Sequence, residues 1–187
     1  IGMTLTLVLC ELKDGKIRKP SLEALSEARR LAGDGPVGAL FAGASLAGCE
    51  EAARFGADVI LKADAPALAA YSSDGFATVL AEAAKAKGAS ILLAAATSVG
   101  KDVAPRVAAR LGAGYAAEVT GLSMAGGKLQ AVRPVYAGKA LATVDFASEI
   151  HPRLLVLRHL ERLAPAAVEL VGSLVAGSRA PWLLSVS

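Results

Sequence analysis

The chain has 187 residues, a formal net charge of +3, and 54% hydrophobic but only 4% aromatic residues. That gives room for one domain and an appendage, around a large core of alanine, leucine and valine. Charge this small and dispersed argues against nucleic acid, no run approaches the ~18 apolar residues that span a bilayer, and two distant cysteines do not make a disulfide frame.

Thr4–Cys10 reads as a first strand and Glu11–Lys19 as a polar connection turning at Asp14-Gly15. Pro20-Ser21 opens a helix, with Ser21 as its N-cap, an apolar stripe of Leu22, Leu25, Ala28 and Ala32, and Gly33 as its stop. Val37–Ala42 is a second strand, Leu46–Phe55 a helix closed by Gly56, and Asp58–Lys62 a third strand. Asp74 or Ser73 caps a helix over 75–87 that ends at Gly88. Ile91–Ala96, short, apolar and β-branched at its start, suits a strand buried on both faces. After it, Val103, Ala104, Val107, Ala108 and Leu111 share one helix face. Four strand-then-helix units predict an α/β fold: an open, mostly parallel sheet with helices on both faces, nucleotide-binding-like.

The pattern then changes. Ala117–Met124, Lys128–Tyr136 and Lys139–Phe146, separated by glycine turns, predict a three-stranded antiparallel meander. Pro134 places its part of the middle strand at an edge or bulge. Arg153–Leu157 reads as a return to the main sheet, and residues 159–187 as a divergent, loosely ordered tail. Ten Lys/Arg against six Asp/Glu make residues 101–187 the basic half; a solvated surface is the commoner reason for such a bias than an acidic partner.

Thr97-Ser98-Val99-Gly100-Lys101-Asp102 lies between a strand and a helix N-terminus, the usual ligand position in an open parallel sheet. Free N–H groups at Gly100–Val103, with Lys101, could hold an anion; Asp102 opposes this by neutralising Lys101 and capping the helix. Ser98-x-x-Lys101 matches the string of acyl-transfer serine enzymes but lacks the companion strings, so a hydrolase reading rests on these two residues alone. Gly33 to Gly38 has G-x-G-x-x-G spacing but follows a helix and precedes a strand. Gly43 to Gly48 has phosphate-loop spacing, but Cys49-Glu50 stands where Lys and Ser/Thr are needed. His151 and His159 have no metal spacing, and Cys10 and Cys49 read as buried thiols. The residues by themselves give an α/β domain without catalytic equipment.

Two strings resemble the signature regions of the electron transfer flavoprotein α subunit: Ala95 to Leu111, A-A-T-S-V-G-K-D-V-A-P-R-V-A-A-R-L, and Val132 to Ala140, V-R-P-V-Y-A-G-K-A. The Glu11–Lys19 opening and the Phe55-Gly56-Ala57-Asp58 corner are similar too, and the resemblance covers about residues 4 to 157. It implies an N-terminal α/β domain over 3–158 that is an electron-carrier fragment and not an enzyme. FAD is then held mainly by a C-terminal domain, not by this chain, and AMP belongs to the partner. Implied partners are the β subunit and, through the complex, dehydrogenases, with self-association of the fragment open; membrane insertion is not expected. Thr97, Ser98, Gly100 and Lys101 become candidates for an anion or a domain contact. The alternative is a self-standing adenine-nucleotide module similar to universal stress proteins. No targeting segment is visible, so cytoplasm is the expected location.

Overall fold

A computed structural model describes residues 5–126, 128–146, 153–157 and 183–184. In chain order these form β1 (Thr6–Cys10), a small hairpin of β2 (Leu12–Lys13) and β3 (Lys16–Ile17), α1 (Lys19–Ala32), β4 (Val37–Gly43), a 3₁₀ segment Cys49–Phe55, β5 (Val59–Asp64), a short 3₁₀ turn Pro66–Leu68 and α2 (Ser73–Lys87). Next come β6 (Ile91–Ala95), α3 (Ser98–Leu111), β7 (Gly114–Val119), β8 (Gly121–Ala125), β9 (Lys128–Val135), β10 (Ala140–Asp145), β11 (Arg153–Leu157) and the two-residue β12 (Leu183–Leu184). The main sheet has the order β12-β7-β11-β6-β1-β4-β5, with every neighbour parallel. β8, β9 and β10 form a separate antiparallel sheet. The α/β architecture with a meander is the one the sequence predicts.

Period-two alternation divides the core. Val8, Cys10, Val37, Ala39, Phe41 and Leu93 point to one face, where they meet Ala24, Leu25 and Ala28 of α1 and Leu122, Leu129 and Ala131 of the meander. Leu7, Leu9, Leu40, Leu92 and Ala94 point to the other, against Ala77, Leu80, Ala81 and Ala84 of α2 and Val103, Ala104, Val107 and Ala108 of α3. Alanine dominates the helix faces, so helix and sheet backbones pack closely and aromatic residues are not needed.

Several expectations are corrected. The helix expected over 46–55 is a 3₁₀ segment from Cys49, because Gly48 is left-handed (φ 87) and lies under the hairpin, where a Cβ would meet the Gly15 carbonyl oxygen at 2.1 Å. Ser21 does not cap α1, which starts at Lys19; its hydroxyl accepts the Glu11 amide at 2.9 Å and fastens α1 to the end of β1. The α2 cap is Ser72, which accepts from the Gly75 amide, and not Ser73 or Asp74. The run at 117–124 is divided: Gly114–Val119 belongs to the parallel sheet and Gly121–Ala125 to the meander. β9 is the middle strand of its sheet, but its pairing with β8 stops at Val132, so Pro134 has only β10 beside it. β11 enters the main sheet as expected. Apart from β12, the tail expected at 159–187 lies outside the described residues.

Arg29 ties the chain together at the sheet's amino-terminal edge. It donates from Nη1 to the Gly33 and Gly35 carbonyls at 2.9 Å each, from Nη2 to the Gly56 carbonyl at 2.8 Å, and from Nη2 to Asp58. The Val37 amide and then Arg29 hold the Asp58 carboxyl below the usual carboxylate range. A depressed folded pKa means the native state binds fewer protons, so this stabilisation is full above the ordinary carboxylate pKa and lost as pH falls through the folded value. Asp58→Asn is therefore expected to lower stability more at neutral pH than at a pH below the ordinary carboxylate range, as read by urea unfolding. Equal losses at both pH values would count against the ion pair.

Candidate functional site

In the sheet order, β4 lies on one side of β1 and β6 on the other, so the strand succession reverses between β1 and β6. The crevice above their carboxyl ends is where doubly wound sheets bind ligands. Glu11 leaves β1 on one lip and Thr97 leaves β6 on the other.

The two lips are bonded to each other. The Thr97 hydroxyl donates to Glu11 Oε1, and Thr97 Oγ1 in turn accepts the Gly100 amide at 3.0 Å as the N-cap of α3. Arg18 holds Glu11 Oε2 at 2.6 Å, and the Glu11 carboxylate is largely buried. The crevice is thus bridged by a carboxylate of the protein itself. Thr97→Ala is expected to cost about 1 kcal/mol, whereas Thr97→Ser, which retains the hydroxyl, costs little. Chemical denaturation of both variants checks this; a harmless Thr97→Ala would remove the case for the bridge.

The anion reading needed free donors at Gly100–Val103. Gly100 N–H is taken by the Thr97 hydroxyl and Lys101 N–H by the Thr97 carbonyl at 2.9 Å, while Asp102 and Val103 lie within α3. Gly100 is glycine for a packing reason, since a Cβ there would meet the Ala95 carbonyl oxygen at 2.0 Å. The Lys101 ammonium is 2.6 Å from Glu118 Oε1 on β7 and so is committed across the sheet, not to the exposed Ser98. A serine–lysine nucleophile is not assembled. Asp102 neither caps α3 nor neutralises Lys101, as the sequence reading had it; it accepts from Tyr71 and from Arg106 Nε at 3.3 Å. The Tyr71 hydroxyl, foremost among its donors, holds the Asp102 carboxyl below its ordinary pKa.

Among the described residues, no three His, Cys, Asp or Glu side chains could hold a metal ion, and no helix is long and apolar enough to cross a membrane. Cys10 and Cys49 are buried and unpaired as thiols, and burial pushes the Cys10 thiol up, away from reactivity. His151 and His159 lie outside the described residues. The Gly100 and Lys101 amides and the Glu11 carboxylate at this crevice are bonded within the chain, so none of these groups is open to a flavin diphosphate.

The meander is fixed to this scaffold through Arg30, which is held by Glu27 and donates to the Leu122 carbonyl. Met124, beside the β8–β9 turn, and Tyr136, in the β9–β10 turn at the opposite end of the meander, are 50% and 80% exposed, and Tyr136 and Ala137 both have positive φ. The sequence singles out Thr97 and Lys101 as candidates but not Glu11, whose only local signal is a carboxylate directly after a strand.

The described residues form a doubly wound α/β domain whose crevice is bridged by its own Glu11 and Thr97 side chains and which carries a docked β-meander. The chain is a member of the electron transfer flavoprotein domain family, whose model matches residues 6–152. It is 33% identical over 139 residues to electron transfer flavoprotein subunit alpha of Bacillus subtilis (strain 168), covering 74% of this chain and 43% of that protein. It is 36% identical over 155 residues to Protein FixB of Clostridium saccharobutylicum, covering 81% of this chain and 46% of that one. To acryloyl-CoA reductase electron transfer subunit beta of Anaerotignum propionicum it is 35% identical over 120 residues, covering 63% and 33%. The chain spans less than half the length of these curated relatives.

Proposed function

We propose that the chain is the N-terminal domain, residues 3–158, of an electron transfer flavoprotein α subunit, with residues 159–187 a separate tail. Its work is to brace an assembly in which FAD is held mainly outside these residues, AMP lies in the partner subunit, and electrons arrive from dehydrogenases. Electron tunnelling weakens steeply with distance, so a rigid base that fixes the cofactor's position serves the transfer without doing chemistry. The observation that carries this reading is the Glu11–Thr97 bridge. It spends on rigidity the crevice that a nucleotide-binding relative would keep open, and the family match supports the same direction. The meander and the Thr97–Arg106 turn are the contact surfaces, and the cytoplasm is the compartment.

The test is co-purification with an electron transfer flavoprotein β subunit. Association at micromolar concentration is expected, and Tyr136→Asp, which places a charge on the most exposed aromatic of the meander, is expected to weaken it about tenfold or more. No association at that concentration overturns the reading.

A further inference from the structure

The inward face of β9 runs Leu129, Ala131, Arg133, with exposures of 1%, 0% and 2%. Two apolar residues and then a cation are thus packed against the main domain. Arg133 lies one residue past the last β8–β9 pair, Gly121 with Val132, near the carboxyl end of β7. Its Nε and Nη2 have no hydrogen-bond partner among the described residues. Those two nitrogens share one edge of the guanidinium plane, and their parallel N–H bonds suit two oxygens of a carboxylate or phosphate side by side. The same edge is filled elsewhere in the molecule: Arg30 gives it to the two Glu27 oxygens and Arg29 to the Gly56 carbonyl. Burial lowers the pKa of Arg133, but a guanidinium stays charged at neutral pH, so the unfilled edge is a standing cost.

Glu118 acts on Arg133 through its charge and places Oε1 on Lys101 at 2.6 Å. Among the described residues, Arg133 and Lys101 thus both act with this one carboxylate. Lys101 is 51% exposed and Glu118 7%, so the trio reaches solvent at its lysine end, on the carboxyl edge of the sheet.

We propose that Arg133, with Lys101, is the receptor for a small two-oxygen anion, a carboxylate or phosphate group, taken up on the unfilled edge of the guanidinium. The site is separate from the Glu11–Thr97 bridge and does not depend on the function proposed above.

The test is thermal unfolding of the 187-residue chain in sodium phosphate and in sodium acetate, each against sodium chloride at matched ionic strength. A saturable rise in Tm of about 3 °C or more is expected with at least one of them, and which one responds tells phosphate from carboxylate. Arg133→Lys keeps the charge but lacks the paired donors, and should abolish the rise. No rise with either anion overturns the proposal, as does a rise undiminished in Arg133→Lys. If that variant does not fold, Lys101→Met at the exposed end takes its place. An apparent affinity weakened about threefold or more is expected there, and an unchanged affinity overturns the site.

Discussion

Gly100→Ala is expected to cost about 3 kcal/mol or more, a large part of the roughly 5–15 kcal/mol that holds a domain of this kind together. The added methyl would lie 2.0 Å from the Ala95 carbonyl oxygen and 3.2 Å from its carbon. These are backbone atoms of β6, which is hydrogen-bonded to β1 on one side and β11 on the other, so they cannot give way as the end of a side chain could. Gly112→Ala is the control. That glycine is left-handed (φ 60) but has nothing within 4 Å of its Cβ position, so only the conformational cost of about 1 kcal/mol applies. Urea midpoints of the two variants compare contact with conformation directly; equal losses would show that α3 does not rest on β6 as described. A Gly100 variant is consequently useless as a probe of ligand binding, because lost binding would report lost structure.

Glu118→Gln is expected to cost about 3 kcal/mol, although it changes one atom. The carboxylate is 7% exposed and bonded to Lys101, and its charge also acts on the buried Arg133. Removing that charge leaves a guanidinium in the interior without its counter-charge, the situation in which breaking a buried pair is most costly. Lys101→Met should cost under about 1 kcal/mol, since the ammonium is half exposed and water replaces the lost partner. Adding Arg133→Met to Glu118→Gln should return much of the loss. Denaturant unfolding of the four proteins closes the cycle, and an additive double mutant would mean that the two side chains do not communicate.

Periodicity carries the architecture because the core obeys it. β1, β4 and β6 are apolar runs buried on both faces, and α3 buries the residues its spacing selects. It fails where tertiary contacts override local signals. Ser21 looks like a cap, but its hydroxyl serves the end of β1. The break between β7 and β8 is made by Glu118 at φ 55 and by a Thr120 amide that turns to the Val132 carbonyl, and neither residue is a type that signals a break. The same limit applies to the site. Thr97 is legible because it precedes a helix, whereas its partner Glu11 is 86 residues away. Arg133 stands in a string quoted for its resemblance, and only packing gives it a role.

The position of β11 sets a condition on synthesis. It is the last long strand described, yet it enters between β6 and β7, which it joins on both sides. Until residues 153–157 leave the ribosome, β6 has one open edge and β7 has no partner in this part of the sheet, so a nascent or prematurely terminated chain carries apolar strands ready to pair with other copies. Completion of the fold is therefore a late event of long sequence range, and the interval before it is when the chain most needs a chaperone.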